Sequence, residues 1–569
     1  MTDNDLIITI VTCVGFMGLV AWVSYLKTRG EVGTKDGYFL AGRGLSGVFI
    51  AGSLLLTNLS AEQLIGLNGS AYGFNLSSMA WEVTAAIATV FMAMVFLPKY
   101  LAGAFATLPQ FLKSRFDEDV RRYSVILFML GYGLVTIPSV LYSGSVAVMQ
   151  LFDIPALLSM TYFQGLVLTV IGIGAVGSVY AIFGGLKAVA VSDTLNGIGL
   201  LVIGLLVPAL GLVALGEGSF LAGLETVTTT KTEKLNAIGG PQDPTPFATL
   251  FTGMIFANLF YWCTNQYVIQ RTLGAKTLAE GQKGVLFSGF FKVLVPLMMM
   301  LPGVIAFHLY GPELSSIDQA YPRLVKDVLP VYMSGFFLAV LLGTVFSSFN
   351  SLLNSAATLF CLDVYAPIMK QTLSDHQLVK TAKIVSIVIA IFSFMVAPTL
   401  YFAPEGLWQI IRIFTGFYNI PIVAIVIVGL FTKRTPAIGA KIVIVFHVIT
   451  YGLVRFVLGD VVTLHFLHLY AILFFMEVAI MLIAGYLKPR ETPWAFERAN
   501  LVDLTPWRFA KPVAVSLLSL VVALYSVFSP LGIVGNNFSM VFNIIIGMLV
   551  IGNLAVWGIS LRQRNPSLG

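Results

Sequence analysis

The chain has 569 residues, 57% of them hydrophobic and only 11% charged, with a net charge of +6. Soluble proteins carry about 25% charged residues, so a set of soluble domains is excluded. The basic residues sit in short loops between apolar stretches, so they are no nucleic-acid footprint.

Apolar segments of roughly 18 residues or more predict transmembrane helices. In chain order they fall at 4–26, 47–72, 77–98, 123–150, 158–183, 188–215, 247–270, 284–309, 330–362, 379–400, 406–431, 436–458, 463–487, 512–532 and 537–561. The first is too long for a signal-peptide core and lacks a convincing cleavage site, so it reads as a retained helix. With the N-terminus outside, 26 of the 33 Lys and Arg fall on the inward side. Lys231, Lys234, Arg323, Lys326 and Arg455 fall outward, and Lys292 and Arg412 fall within the membrane. Such a bias over short loops supports the span assignment. Cys13, Cys263 and Cys361 lie far apart in or beside spans, as small buried hydrophobes; no disulfide frame or metal spacing results.

The second span contains Thr57-Asn58-Leu59-Ser60-Ala61-Glu62-Gln63. Hydrocarbon cannot hydrogen-bond these groups, and a charge at the bilayer centre costs at least ~2.5 kcal/mol. Polar residues persist there only where they line a cavity or meet a partner. A single Asn or Ser would read as a seam between two helices. Five polar residues within seven read as a transporter's substrate and ion site.

The longest outward loop, 217–246, separates two groups of five spans, 47–215 and 247–431. Each group opens with a polar break; the second has Asn258 and Thr264-Asn265-Gln266. An odd span number inverts one group relative to the other. The predicted fold is an all-α polytopic membrane protein of 14–15 transmembrane helices, N-terminus outside. Its core is an inverted repeat of two five-helix units whose first helices are discontinuous. The divisions are 1–46, a helix with its cytoplasmic loop; 47–215, the first repeat; 216–246, an extracellular or periplasmic loop; 247–431, the second repeat; and 432–569, peripheral helices.

Several stretches carry a family resemblance. They are Tyr38-Phe-Leu-Ala-Gly-Arg43, Asn58-Leu-Ser-Ala-Glu-Gln63, Asn265-Gln-Tyr-Val-Ile-Gln-Arg271, Gln282-Lys-Gly284 with Lys292, and Ser347-Ser348 followed by Leu353-Asn-Ser355. Trp81-Glu82, nineteen residues after Gln63, and Tyr261-Trp-Cys-Thr-Asn-Gln266 extend the set. From about Tyr38 to Lys433 the chain resembles the sodium:solute symporter family, most closely its bacterial sodium/sugar branch.

The resemblance implies a sodium site made by the carbonyls of Leu56, Leu59 and Thr344 and the hydroxyls of Ser347 and Ser348. Hard cations take oxygen ligands, and an unwound helix offers free carbonyls. The bland alternative is that both hydroxyls back-bond to the preceding turn. Asp193 matches an aspartate that in some members helps bind a second sodium; pairing with Lys187 or an interfacial position is the alternative.

For the sugar, the resemblance implies Glu82 as acceptor, Gln63 and Asn258 as donors and acceptors, Lys292 as donor, and Asn58 presented by the broken helix. Tyr261 matches the inner aromatic gate, and Trp81 and Trp408 the outer aromatic positions. Lipid-facing or core packing is the commoner fate of such rings.

Arg412 departs from the sugar-transporting relatives, which have an amide there; Ala85 likewise replaces a frequent hydroxyl. Two readings of Arg412 are open. It pairs internally with Glu82 or Glu62, offsetting its burial, or it receives an anionic group on the substrate. His447 and Glu477, in peripheral spans, are assigned no role.

The implied function is a sodium-coupled symporter for a sugar or sugar-like polyol in the cell membrane, with sodium, the sugar and the bilayer as partners. One sodium entering down 100 mV releases about 2.3 kcal/mol. That supports roughly a fifty-fold gradient at ~1.4 kcal/mol per tenfold. The runner-up substrate is a sugar acid, sulfated sugar or sialic-acid-like molecule; a membrane sugar sensor would share the binding residues. A membrane-embedded enzyme is disfavoured, because no HExxH or GxSxG-type element with a plausible His partner occurs and only five His exist.

Overall fold

The computed structural model describes residues 3–28, 33–152, 154–314, 316–369, 373–402, 407–459, 461–462, 464–535 and 538–562. The side chains of Glu62 and of residues 407–413 lie outside the described set.

Among the described residues, thirteen helices are long and apolar enough to cross a membrane. They are α1 (Asp3–Thr28), α4 (Leu76–Gly103), α5 (Glu118–Met149), α6 (Tyr162–Val179), α7 (Gly185–Leu215), α10 (Leu278–Tyr310), α11 (Val331–Met369), α12 (Asp375–Phe402), α13 (Leu407–Phe431), α14 (Ala437–Phe456), α15 (Phe466–Leu487), α16 (Ala510–Val527) and α17 (Met540–Arg562). The fourteenth span is a pair, α2 (Gly47–Asn58) and α3 (Ala61–Gly73), bent by 59° at their junction. The fifteenth predicted segment, 247–270, is not an uninterrupted span. It folds as α8 (Gly253–Leu259), a wide turn, and α9 (Gln266–Leu273). Its polar residues break the helical ladder, so neither piece alone reaches across a bilayer.

Each five-span group thus opens with a broken helix, and the two groups run in opposite senses. α7 packs on α11 and α2, α10 packs on α2, and α1 lies against α11 and α7. These contacts put the polar break of α2–α3 in the interior. The α2–α7 approach is close: a Cβ on Gly52 would lie 2.7 Å from the Thr194 hydroxyl. α14 and α15 pack on α13, α16 packs on α10, and α17 packs on α16.

α6 and α7 meet at Gly185, with φ 59° and ψ −166°. Only glycine takes this conformation readily, and a Cβ there would sit 2.8 Å from the Tyr38 carbonyl. The predicted outward loop is partly ordered: it holds the helix Phe220–Thr229 and a turn at Thr232–Leu235.

Three arginines expected in inward loops are buried instead. Arg115 and Arg271 are 0% exposed and Arg121 is 3% exposed. Arg115 donates to the carbonyls of Gly429 at 2.8 Å, Thr432 at 3.0 Å and Thr435 at 3.2 Å. These lie at or just beyond the C-terminal end of α13, where helices leave carbonyls unpaired and favour cations. On the same side, an extended strap follows α15. It binds the Arg434 carbonyl through Arg490 N–H (2.9 Å), the Ala102 carbonyl through Ala499 N–H (2.9 Å), and Leu278 N–H through the Asp503 carbonyl (2.8 Å).

Candidate functional site

The two breaks are backbone features. After α2 the chain is extended at Leu59 (φ −84°, ψ 94°) and Ser60 (φ −91°, ψ 165°). After α8 the turn Phe260–Thr264 widens, so that Asn265 N–H donates to the Phe260 carbonyl at 2.9 Å, and Asn265 is extended (φ −75°, ψ 116°). Both leave main-chain oxygens without helical donors.

α11 supplies hydroxyls to the first break. Ser348 donates to the Thr57 carbonyl at 3.3 Å, a long contact across helices. The Ser347 hydroxyl is buried beside Asp193 and makes no hydrogen bond of ordinary geometry among the described residues. Neither serine back-bonds to its own helix, whereas the Thr344 hydroxyl does, to the Leu341 carbonyl at 2.7 Å. An underused hydroxyl beside a long contact, against an unwound segment, suits a hard cation. A cavity of about 10 Å³, room for about one water-sized particle, lies beside this region and is lined by Asp193, Asn196, Ser347 and Asn350.

Asp193 is buried. It accepts from the Ser53 hydroxyl at 2.6 Å, and that hydroxyl accepts from Arg271 Nε at 2.9 Å. Arg271 also donates to the Ser351 hydroxyl and the Tyr267 carbonyl. Ser351 in turn lies 3.1 Å from the Thr57 hydroxyl. A continuous polar relay therefore joins α7, α2, α9 and α11. Gln270 extends it, donating to the Phe39 carbonyl at 2.9 Å and to Thr358 at 2.9 Å.

The second polar cluster is built from α4, α8 and α10. Glu82 and Lys292 form a buried ion pair, with the Lys292 ammonium 5.7 Å from the Trp262 ring centroid. Asn258 donates to the Thr84 hydroxyl at 3.0 Å. Gln63 Oε1 and Asn58 Oδ1 are buried acceptors without a partner among the described residues. Such orphans are costly unless something binds them. Tyr261 lies beside Asn58 and Tyr267, with its ring 5.6 Å from Trp262 and 5.7 Å from Tyr267. Trp81 stacks on Phe466 of α15 at 6.3 Å. Beyond Phe466, an open cavity of about 660 Å³ is lined by Phe247, His465 and His468.

The described partner of Glu82 is thus Lys292, whereas pairing with Arg412 was one of the expectations. The Arg412, Trp408 and Glu62 side chains lie outside the described residues. His447 and Glu477 meet each other, away from both clusters. The Arg271 relay and Thr84 were not anticipated. The usable signal for Arg271 was the polar run Asn265–Arg271 at the end of an apolar segment.

A model of the sodium:solute symporter family matches residues 38–446. The chain belongs to the sodium:solute symporter family. It is 45% identical over 543 residues to the "Uncharacterized symporter YidK" of Escherichia coli (strain K12), covering 95% of each chain. It is 32% identical to the sodium/glucose cotransporter of Vibrio parahaemolyticus over 75% of this chain and 81% of that one. The fold is that of a Na+-coupled sialic acid symporter in its substrate-bound outward-open state, with a TM-score of 0.74 at 21% identity over 85% of this chain and 99% of that one. This family member is accordingly a multi-pass membrane protein and a sodium-coupled solute symporter.

Proposed function

We propose that this symporter imports a sugar or sugar-like polyol by alternating access. The observation that carries the reading is the buried Glu82–Lys292 pair beside Trp262, together with the Asn258–Thr84 hydrogen bond and the buried, unpartnered acceptors of Gln63 and Asn58. A sugar presents hydroxyls on its rim and C–H bonds on its faces. Glu82 would accept from hydroxyls, Lys292 would donate, and the amides would do both. Tyr261 would close the site from within, and Trp81 and Trp408 from without. The resemblance to a sodium/glucose cotransporter supports the same substrate class.

Sodium would be held by the carbonyls of Leu56, Leu59 and Thr344 and the hydroxyls of Ser347 and Ser348, with Asp193 available to a second ion. Occupied, that site would fix the α2–α3 break and so present Asn58 and Gln63. Each ligand then raises the affinity for the other by the same factor.

One observation favours an anionic sugar instead. Lys292 already neutralises Glu82, so Arg412 is not needed for that charge and would be a suitable partner for a carboxylate or sulfate on the substrate. The deciding experiment is uptake of a panel of neutral and acidic sugars into proteoliposomes, with sodium or choline outside. Sodium-dependent accumulation of a sugar supports the proposal. Binding without accumulation indicates a sensor, and accumulation of non-sugar solutes alone overturns the substrate class.

A further inference from the structure

The peripheral helices contain a buried ionisable pair that neither polar cluster uses. His447 on α14 and Glu477 on α15 are both 0% exposed. His447 Nδ1 lies 2.5 Å from Glu477 Oε1, and Nε2 lies 2.8 Å from the carbonyl oxygen of Gly416 on α13. A carbonyl only accepts, so Nε2 carries a hydrogen. The contact at Nδ1 then needs one further proton. It resides on Nδ1, giving imidazolium against carboxylate, or on Oε1, giving a carboxylic acid against neutral imidazole. Either way the pair is neutral overall. Without that proton, a nitrogen lone pair would face a carboxylate in an apolar interior. Glu477 Oε2 has no partner among the described residues to take up the charge.

We propose that His447 and Glu477 form a proton-binding site, and that the bound proton makes His447 a positioning residue for the inner gate. The Tyr451 ring stacks on His447 at 5.5 Å. Its hydroxyl fills the space at Gly416, where a Cβ would lie 2.1 Å away. α13 is thereby fixed in register on α14. Two residues further along α13, the Tyr418 ring lies 5.6 Å from Phe260 and 6.0 Å from Phe128. Phe260 opens the wide turn that carries Tyr261. The contacts therefore run from Glu477 through His447, Gly416 and Tyr418 to the neighbour of Tyr261. Among the described residues, the other titratable or charged groups facing this region are Tyr451 and Arg455 of α14, Tyr470 of α15 and Tyr418 of α13. The inference rests on the transporter fold and on Tyr261 as the gate, and not on which solute is carried.

The sign of the pH dependence follows from the proton count. The contact geometry calls for one shared proton in the folded pair, which separated, solvated imidazole and carboxylate groups do not hold together at alkaline pH. Stability from the pair is therefore present at lower pH and is lost as pH rises. A difference of one proton changes the unfolding equilibrium constant by up to about tenfold per pH unit. Glu477→Gln keeps both hydrogen bonds, because its amide donates to neutral Nδ1, but it has no dissociable proton.

The test is denaturant unfolding of the full chain in detergent from pH 7 to 10. The wild type should lose stability relative to Glu477→Gln as pH rises. Parallel curves overturn the proton site. If Glu477→Gln does not fold, His447→Gln serves in the same comparison, with the same outcomes. Gate positioning is read by maleimide labelling of the Tyr261→Cys thiol in membranes. Labelling should rise several-fold more between pH 7 and 9.5 when His447–Glu477 is intact than when Glu477→Gln is added. Equal pH profiles in the two backgrounds overturn the positioning role.

Discussion

Arg271 and Asp193 share one hydroxyl: Ser53 donates to Asp193 at 2.6 Å and accepts from Arg271 at 2.9 Å. Both charges are buried, on helices 78 residues apart in sequence, and α2 lies between them. The relay ties the second broken helix to the first through side chains that carry no backbone constraint.

Removing one charge from this relay strands the other, a cost on the order of 3–5 kcal/mol for a buried pair. Arg271→Met should lower the melting temperature of the detergent-purified protein markedly, and Arg271→Met with Asp193→Leu should recover part of it. Additive losses in the double variant, measured in the same melting experiment, would show that the two charges do not act as a unit.

Sodium affinity should depend on Ser348 and Ser347 more than on Thr344. The first two have hydroxyls free of their own helix, whereas the Thr344 hydroxyl is committed to the Leu341 carbonyl. Ser348→Ala and Ser347→Ala should each raise the half-saturating sodium concentration, by roughly tenfold if a lost oxygen–cation contact costs about as much as a hydrogen bond to a charged group. Thr344→Val should change it little, because only the main-chain oxygen of Thr344 is offered to sodium. Sodium titration of uptake, or of sodium-induced thermal stabilisation, measures all three.

The polar breaks and the two five-span groups were legible because hydropathy is a local signal, and a run such as Thr57–Gln63 stands out against its flanks. Partners were not legible. Glu82 and Lys292 are 210 residues apart, and nothing near either one states which charge it meets. The same holds for Arg271. Its place at the end of an apolar stretch looks like a loop arginine, and only Ser53 and Ser351, on other helices, make it an interior one. The division of segment 247–270 was legible as well, because Thr264-Asn265-Gln266 marks the place where the wide turn ends and Asn265 separates the two helices.

Variants of Arg412 test whether the substrate is neutral or anionic. If it binds an anionic substituent, an acidic sugar should outcompete its neutral parent, and Arg412→Gln should reverse the order. If it balances Glu62, neutral sugars should win in the wild type, and Arg412→Gln should cost stability that an added Glu62→Gln restores in part. Competition against one labelled sugar, run beside melting curves, separates the two. Unchanged rankings and unchanged stability together would leave Arg412 outside the site.

Glu82 and Lys292 pose a separate question, because one contact is asked to serve both folding and binding. Glu82→Ala strands the Lys292 ammonium beside Trp262, so it should weaken the fold as well as the site, by roughly 3–5 kcal/mol. Loss of uptake in that variant alone would therefore say nothing about the substrate. Glu82→Gln with Lys292→Met removes both charges at similar volume, and such replacements are often neutral for stability. The double variant should accordingly fold and bind sodium near the wild-type level. Its sugar affinity should still fall, since hydroxyls lose a charged acceptor and a charged donor worth about 1.5–3 kcal/mol each. Melting curves, sodium titration and sugar uptake on the same preparation distinguish the roles. Near-normal sugar affinity in a stable double variant would make the pair a structural strut and move the solute elsewhere.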